Sequence, residues 1–94
     1  MDIKDCEEKT VLHYSVENKN IEITKYLVLH GADINLQDKL GRTPLHYAVL
    51  KNNKELAAFL ISYCADTNMK DNHGKTALDI AINNYRYKII QLFD

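Results

Sequence analysis

The sequence holds only two cysteines, Cys6 and Cys64, far apart, with no Cys-x-x-Cys and no histidine at ligand spacing beside them. That scarcity removes both a disulfide frame and a thiolate zinc site, and leaves two free thiols suited to a reducing compartment. A basic excess is missing too. The formal net charge is -1 and the isoelectric point about 6.4, whereas a duplex-binding protein displaces counterions with clustered Lys and Arg, so no nucleic acid is expected as a partner. No apolar run approaches the roughly 20 residues that span a bilayer, and Met1-Asp2-Ile3-Lys4-Asp5 lacks the apolar core of a signal peptide. The expectation is an intracellular, cytoplasmic chain with no membrane insertion, the nucleus left open. Gly-x-Gly-x-x-Gly, Gly-x-x-x-x-Gly-Lys and Gly-x-Ser-x-Gly are all absent, and no motif couples either cysteine to a base. Neither catalysis nor a cofactor is therefore expected. Low-complexity and Ser/Pro-rich stretches are also lacking, and 46% apolar with 27% charged residues is ordinary for a chain that folds throughout.

What the sequence does have is a period. Asp5, Asp38 and Asp71 stand 33 residues apart, as do Thr10, Thr43 and Thr76, and Leu12, Leu45 and Leu78. Three units follow, at about 5–37, 38–70 and 71–94, within one domain over 1–94. Between the first two, 12 of 33 aligned positions are identical, against roughly two expected from average residue usage. Each unit reads as helix, turn, helix. In the first, Thr10 caps Val11, Leu12, Tyr14, Ser15 and Val16; Lys19-Asn20 interrupts; and a second run from Ile21 puts Ile23, Tyr26, Leu27 and either Val28 or Leu29 on one face before Gly31 ends it. In the second unit Gly41 suits a tight turn, Thr43 an N-cap and Pro44 the first helical position. The third keeps Gly74, Thr76 and Leu78, places Ala77 for the proline and Asp79 where His13 and His46 stand, and carries its second helix over about Tyr87 to Phe93. Helices this short are marginal alone in water, so each must pack on neighbours.

Gly41-Arg42-Thr43-Pro44-Leu45-His46-Tyr47-Ala48, with Gly31-Ala32-Asp33-Ile34-Asn35 before it and the 33-residue step, resembles the ankyrin repeat. The resemblance covers positions 5 to 94. It implies an all-α repeat solenoid, an ankyrin stack of helix-turn-helix units with projecting β-hairpin fingers, whose concave side binds other proteins. Thr-Ala-Leu-Asp at 76–79 resembles the variant of terminal or near-terminal repeats, and two full units with one shortened one suggest part of a longer chain. The family pattern has glycine where Cys64 stands, a helix-ending position that should strain the backbone there.

His13 and His46 recur with the Thr-Leu-His frame rather than at the three- or four-residue spacing of a ligand pair; by the resemblance they hydrogen-bond backbone near the turns. No metal site is expected. Asp5, Asp38 and Asp71 each open a finger, where Asp supports a turn. On the family's pattern, the finger and first-helix positions that the repeat leaves free face a partner. Tyr14, Tyr47 and Ile80 share one repeat position and should form a stripe. Leu40, Arg42 and Leu50 lie around its centre, Lys39 and Lys51 are further free positions of the second unit, and Lys75 is one of the third. Tyr and Arg often dominate binding energy at interfaces. Charge is uneven along the chain: the first unit has three basic and six acidic residues, the second five and three, the third three of each, net -3, +2 and 0. The function expected is a non-catalytic protein-protein interaction module docking another protein on the finger and first-helix face. The alternative is a structural or spacer segment of a longer ankyrin solenoid whose partner binds elsewhere. Nucleic-acid binding through Lys39, Arg42, Lys51 and Lys75 is a third reading, marked by steep salt dependence.

Overall fold

The structure, a computed structural model, describes residues 2–93. Six helices follow in order: α1 (Val11–Glu17) and α2 (Ile21–Leu29), α3 (Pro44–Leu50) and α4 (Lys54–Ser62), α5 (Ala77–Asn83) and α6 (Tyr87–Ile90), the last running into a 3-10 turn over Gln91–Phe93. The expected unbroken helix from Tyr87 to Phe93 is thus shorter. The change lies at its far end, since it starts at Tyr87 as expected. Its start differs from the others in its cap: Asn20 and Asn53 cap α2 and α4 through their side chains, but Arg86 at the equivalent position makes no side-chain cap. The Arg86 guanidinium instead donates to Leu50 O at 3.2 Å.

First helices begin on a reciprocal cap. Thr43 Oγ1 accepts from His46 N at 3.4 Å, and Thr43 N donates back to His46 Nδ1 at 3.0 Å. Thr10 with His13 and Thr76 with Asp79 do the same. Two backbone amides that a helix start leaves without partners are satisfied at each site. The core lies between the units. Helix α1 packs on α3 and α3 on α5, with α2 and α4 packed on their own first helices and α6 on both α5 and α4, burying Leu12, Val16, Leu45, Ala48, Val49, Leu56, Leu60, Ala81 and Ile89.

One expectation for α2 changes. Ile23, Tyr26 and Leu29 are exposed and Leu27 and Val28 half-buried, and the one buried residue of this helix is Thr24, whose hydroxyl meets that of Ser15 at 2.8 Å. Periodicity finds an apolar face but not whether a neighbour covers it.

Five helix ends share one device. After α1 the N–H of Lys19 donates to Val16 O and that of Asn20 to Ser15 O, and the same pair of bonds recurs around Gly31, Asn52, Cys64 and Tyr85. This is the Schellman cap, which needs a left-handed residue. Gly31 supplies it freely, while Lys19 (φ 58°), Asn52 (53°), Cys64 (67°) and Tyr85 (56°) hold it with a side chain. Such a conformation costs about 1 kcal/mol or more for an L-residue other than Asn. Cys64→Gly is expected to raise the stability by roughly 1 kcal/mol and the melting temperature by about 5 °C; a mutant melting below the parent overturns the assignment of strain.

Among the described residues no β-strand forms, so the expected β-hairpin fingers are turns here. In the second loop Gly41 N donates to Asp38 O and Asp38 N to Arg42 O, both at 2.9 Å, and the helix cap at Thr43 follows at once, leaving no length for a ladder. The loops bond to one another instead: Lys39 N donates to Glu7 O and Asn72 N to Leu40 O.

Candidate functional site

Asp38 organises the central loop. It is buried, and its Oδ1 accepts from Leu40 N and Arg42 N at 2.9 Å each. Its Oδ2 accepts from the Tyr47 hydroxyl. Asp5 holds the first loop in the same way, through Glu7 N, Lys9 N and the Tyr14 hydroxyl. Burial and the bond to Asp38 push the Tyr47 hydroxyl up to about 12, and the bond to Asp5 does the same for Tyr14. The Asp5 carboxyl falls below its ordinary value because Tyr14 and the Lys9 amide donate to it. Ile80 leaves Asp71 without a tyrosine; Asp71 is held by His73 N and Lys75 N.

The expected stripe therefore divides. Tyr14 is exposed, whereas Tyr47 and Ile80 are buried, since α1 covers one and α3 the other. Tyr47 serves as a strut that fixes the loop carrying Lys39 and Leu40. Lys9 lies between the two rings, with its ammonium 5.3 Å from the Tyr14 centroid and 5.2 Å from that of Tyr47. It pairs with Glu17 at 2.8 Å and, more loosely, with Glu7 at 3.7 Å; the bond to Glu17 raises the Lys9 ammonium above its ordinary value. The sequence reading missed this arrangement. Its signal was the nine-residue step from Asp to Tyr in two units, broken in the third.

Lys39 and Leu40 are exposed, and with Glu7, Lys9 and Asp38 they line an open pocket of about 310 Å³. Arg42 occupies the repeat position of Lys9 and lies 5.7 Å from the Tyr47 ring centroid. Its Nε is buried and has no hydrogen-bond partner among the described residues. Lys75, at the same repeat position, is exposed. Leu50, half-buried, and Lys51, exposed, stand at the far end of α3, about 10 Å along the helix from its start. None of Lys39, Arg42, Lys51 and Lys75 forms an ion pair with a described residue.

The histidines act as fold elements. The Nε2–H of His13 donates to Arg42 O and that of His46 to Lys75 O, each at 3.0 Å and each from one unit to the next. Burial pushes both imidazoles below the ordinary histidine value. Among the described residues no helix is long and apolar enough to cross a membrane.

A family model described as ankyrin repeats (3 copies) matches residues 1–38 and 12–93. No curated protein matches the chain.

Proposed function

The chain belongs to the ankyrin-repeat family, whose repeats are in general protein-protein interaction modules, and we propose that it is a non-catalytic module that docks a protein partner on its loop and first-helix face. In this reading the units form a solenoid and the turns stand as its fingers. One observation carries the proposal: Lys39, Arg42, Lys51 and Lys75 have no ion-pair partner among the described residues, while Leu40 lies exposed beside Lys39. The loop carboxylates Asp38 and Asp71 are already engaged by loop amides.

An anionic segment carrying an apolar side chain suits such a surface, with the cations setting register and on-rate and Leu40 offering apolar contact. Tyr14, Leu50 and Lys51 extend the face, and the buried Tyr47 and Ile80 support it from below.

The test is selection of random peptides on the immobilised domain and on a Lys39→Glu, Leu40→Ser, Lys75→Glu variant, three exposed changes that leave the helices in place. Acidic-apolar peptides are expected on the parent, with at least tenfold weaker binding to the variant and unchanged circular dichroism. Peptides that bind both equally, or a basic consensus, overturn the proposal.

A further inference from the structure

The three units carry a cation at one repeat position, as Lys9, Arg42 and Lys75, and differ at the last residue of the first helix, which is Glu17, Leu50 and Asn83. In the first unit the cation is satisfied from within. Glu17 reaches back along α1 to Lys9, and the two meet at 2.8 Å with the ammonium 5.3 Å from the Tyr14 ring centroid and 5.2 Å from that of Tyr47. Their side chains are 13% and 23% exposed, so salt and water screen this pair less than one in open solvent.

The second unit repeats the arrangement without the anion. Arg42 is half-buried with its guanidinium 5.7 Å from the Tyr47 centroid, and Leu50 stands at the position that supplies the carboxylate in the first unit. Arg42 forms no ion pair with a described residue, and its buried Nε has no hydrogen-bond partner among them. Asp38, in the same loop, is committed elsewhere: its Oδ1 accepts from the Leu40 and Arg42 amides and its Oδ2 from the Tyr47 hydroxyl. In the third unit Lys75 is exposed and has Ile80 and Asn83 in place of the ring and the carboxylate.

We infer that a carboxylate side chain of the protein partner occupies, over Arg42 and Leu50, the place that Glu17 holds at Lys9. The inference rests on the docking face proposed above and names the residue on it that reads the acidic group. The first unit shows the filled form of a site that the second leaves open. Arginine suits the task, since its planar fork can bond both oxygens of a carboxylate at once. Partial burial beside the Tyr47 ring also holds the side chain in place before the partner arrives, so less rotamer freedom is lost there than at the exposed Lys39 or Lys75. Leu50 offers apolar surface to the methylenes of an incoming glutamate. Lys9 is already paired, so the acidic residue is read in the second unit and fixes the partner's register there.

An acidic-apolar peptide selected on the parent tests the inference, its affinity measured by fluorescence anisotropy. Leu50→Glu gives Arg42 an internal carboxylate of the kind Lys9 has, and is expected to bind the peptide about tenfold more weakly than Leu50→Gln, a change of the same size without the charge. Circular dichroism checks that both fold. A second measurement leaves Leu50 in place and replaces each carboxylate of the peptide in turn by its amide. One replacement is expected to weaken binding to the parent about tenfold but to Arg42→Gln less than about twofold, the signature of a direct pair. Equal affinities of Leu50→Glu and Leu50→Gln, or losses that add for every carboxylate, overturn the inference and leave the docking face standing. A parent that selects no acidic peptide overturns both.

Discussion

Replacing His46 with alanine is expected to lower the unfolding free energy by about 3 kcal/mol, the sum of a lost cross-unit hydrogen bond, an unsatisfied amide and a cavity in a packed junction. The imidazole is buried and fills three roles at once. Its Nδ1 accepts from Thr43 N, its Nε2–H donates to Lys75 O, and its ring volume lies between helices. These bonds require the neutral tautomer protonated on Nε2, because Nδ1 must keep a lone pair for the threonine amide. Burial pushes the folded-state values of His46 and His13 below the ordinary 6.5. Unfolded imidazoles therefore take up protons from about pH 6.5 downward while the folded ones stay neutral. Stability contributed by this pair is complete above that value and falls as the pH drops below it, by at most about 2.7 kcal/mol per pH unit for two protons. Urea denaturation from about pH 7.5 to about pH 5 measures the slope. His46→Ala is expected to be less stable at neutral pH and to show a shallower slope; a slope equal to the parent's would remove His46 as its source. Asp5 and Asp79, whose values are lowered by bonds from Tyr14 and from Thr76 N, lose their contribution only in the more acidic carboxylate range.

Gly41→Ala and Gly74→Ala are expected to differ by about 2 kcal/mol, although the two glycines hold the same place in consecutive loops. Both have left-handed backbones, with φ of 77° and 74°, so each alanine meets a strain of about 1 kcal/mol. Space separates them. A Cβ at Gly41 falls 2.5 Å from Asn72 Oδ1 and 2.7 Å from Asn72 N, while one at Gly74 meets nothing within 4 Å. The amide obstructing Gly41 is the one that donates to Leu40 O, and the Asn72 side chain donates to Lys39 O at 2.8 Å. Relief of the clash must break a contact between loops. Gly41→Ala is thus expected to cost about 3 kcal/mol and Gly74→Ala about 1 kcal/mol, measured as unfolding midpoints at constant slope. Equal losses would show that backbone strain alone governs both sites.

Much of the fold is legible in the residues because local chemistry decides it. Thr10, Thr43 and Thr76 mark helix starts through hydroxyls that need only their own next turn, and Gly31, Gly41 and Gly74 mark positive φ. The 33-residue step places every unit. Less visible is anything that depends on a neighbour. Ile23 and Leu56 are alike as residues and opposite in exposure, since one has a unit packed before it and the other does not. Tyr47 has the hydropathy of an interface tyrosine but lies under α1 with its hydroxyl on Asp38. Lys19, Glu8 and Tyr85 hold left-handed backbones that no propensity assigns to them; the Schellman geometry and the loop turn impose the conformation against residue preference. Of the candidate site, the sequence marks Lys39, Arg42, Lys51 and Lys75 only as positions that the repeat leaves free, and what holds the loop beneath them is not legible there.

The strained helix ends have a consequence for how this molecule can change. Cys64, Lys19 and Tyr85 lie at the surface, outside the loop and first-helix positions proposed for recognition, and each forgoes stability that a single glycine or asparagine would restore. These three helix ends and the positions proposed for recognition are separate residues. The chain can therefore gain tolerance to heat, and with it room for otherwise damaging substitutions on the recognition face, without altering a side chain that a partner would touch.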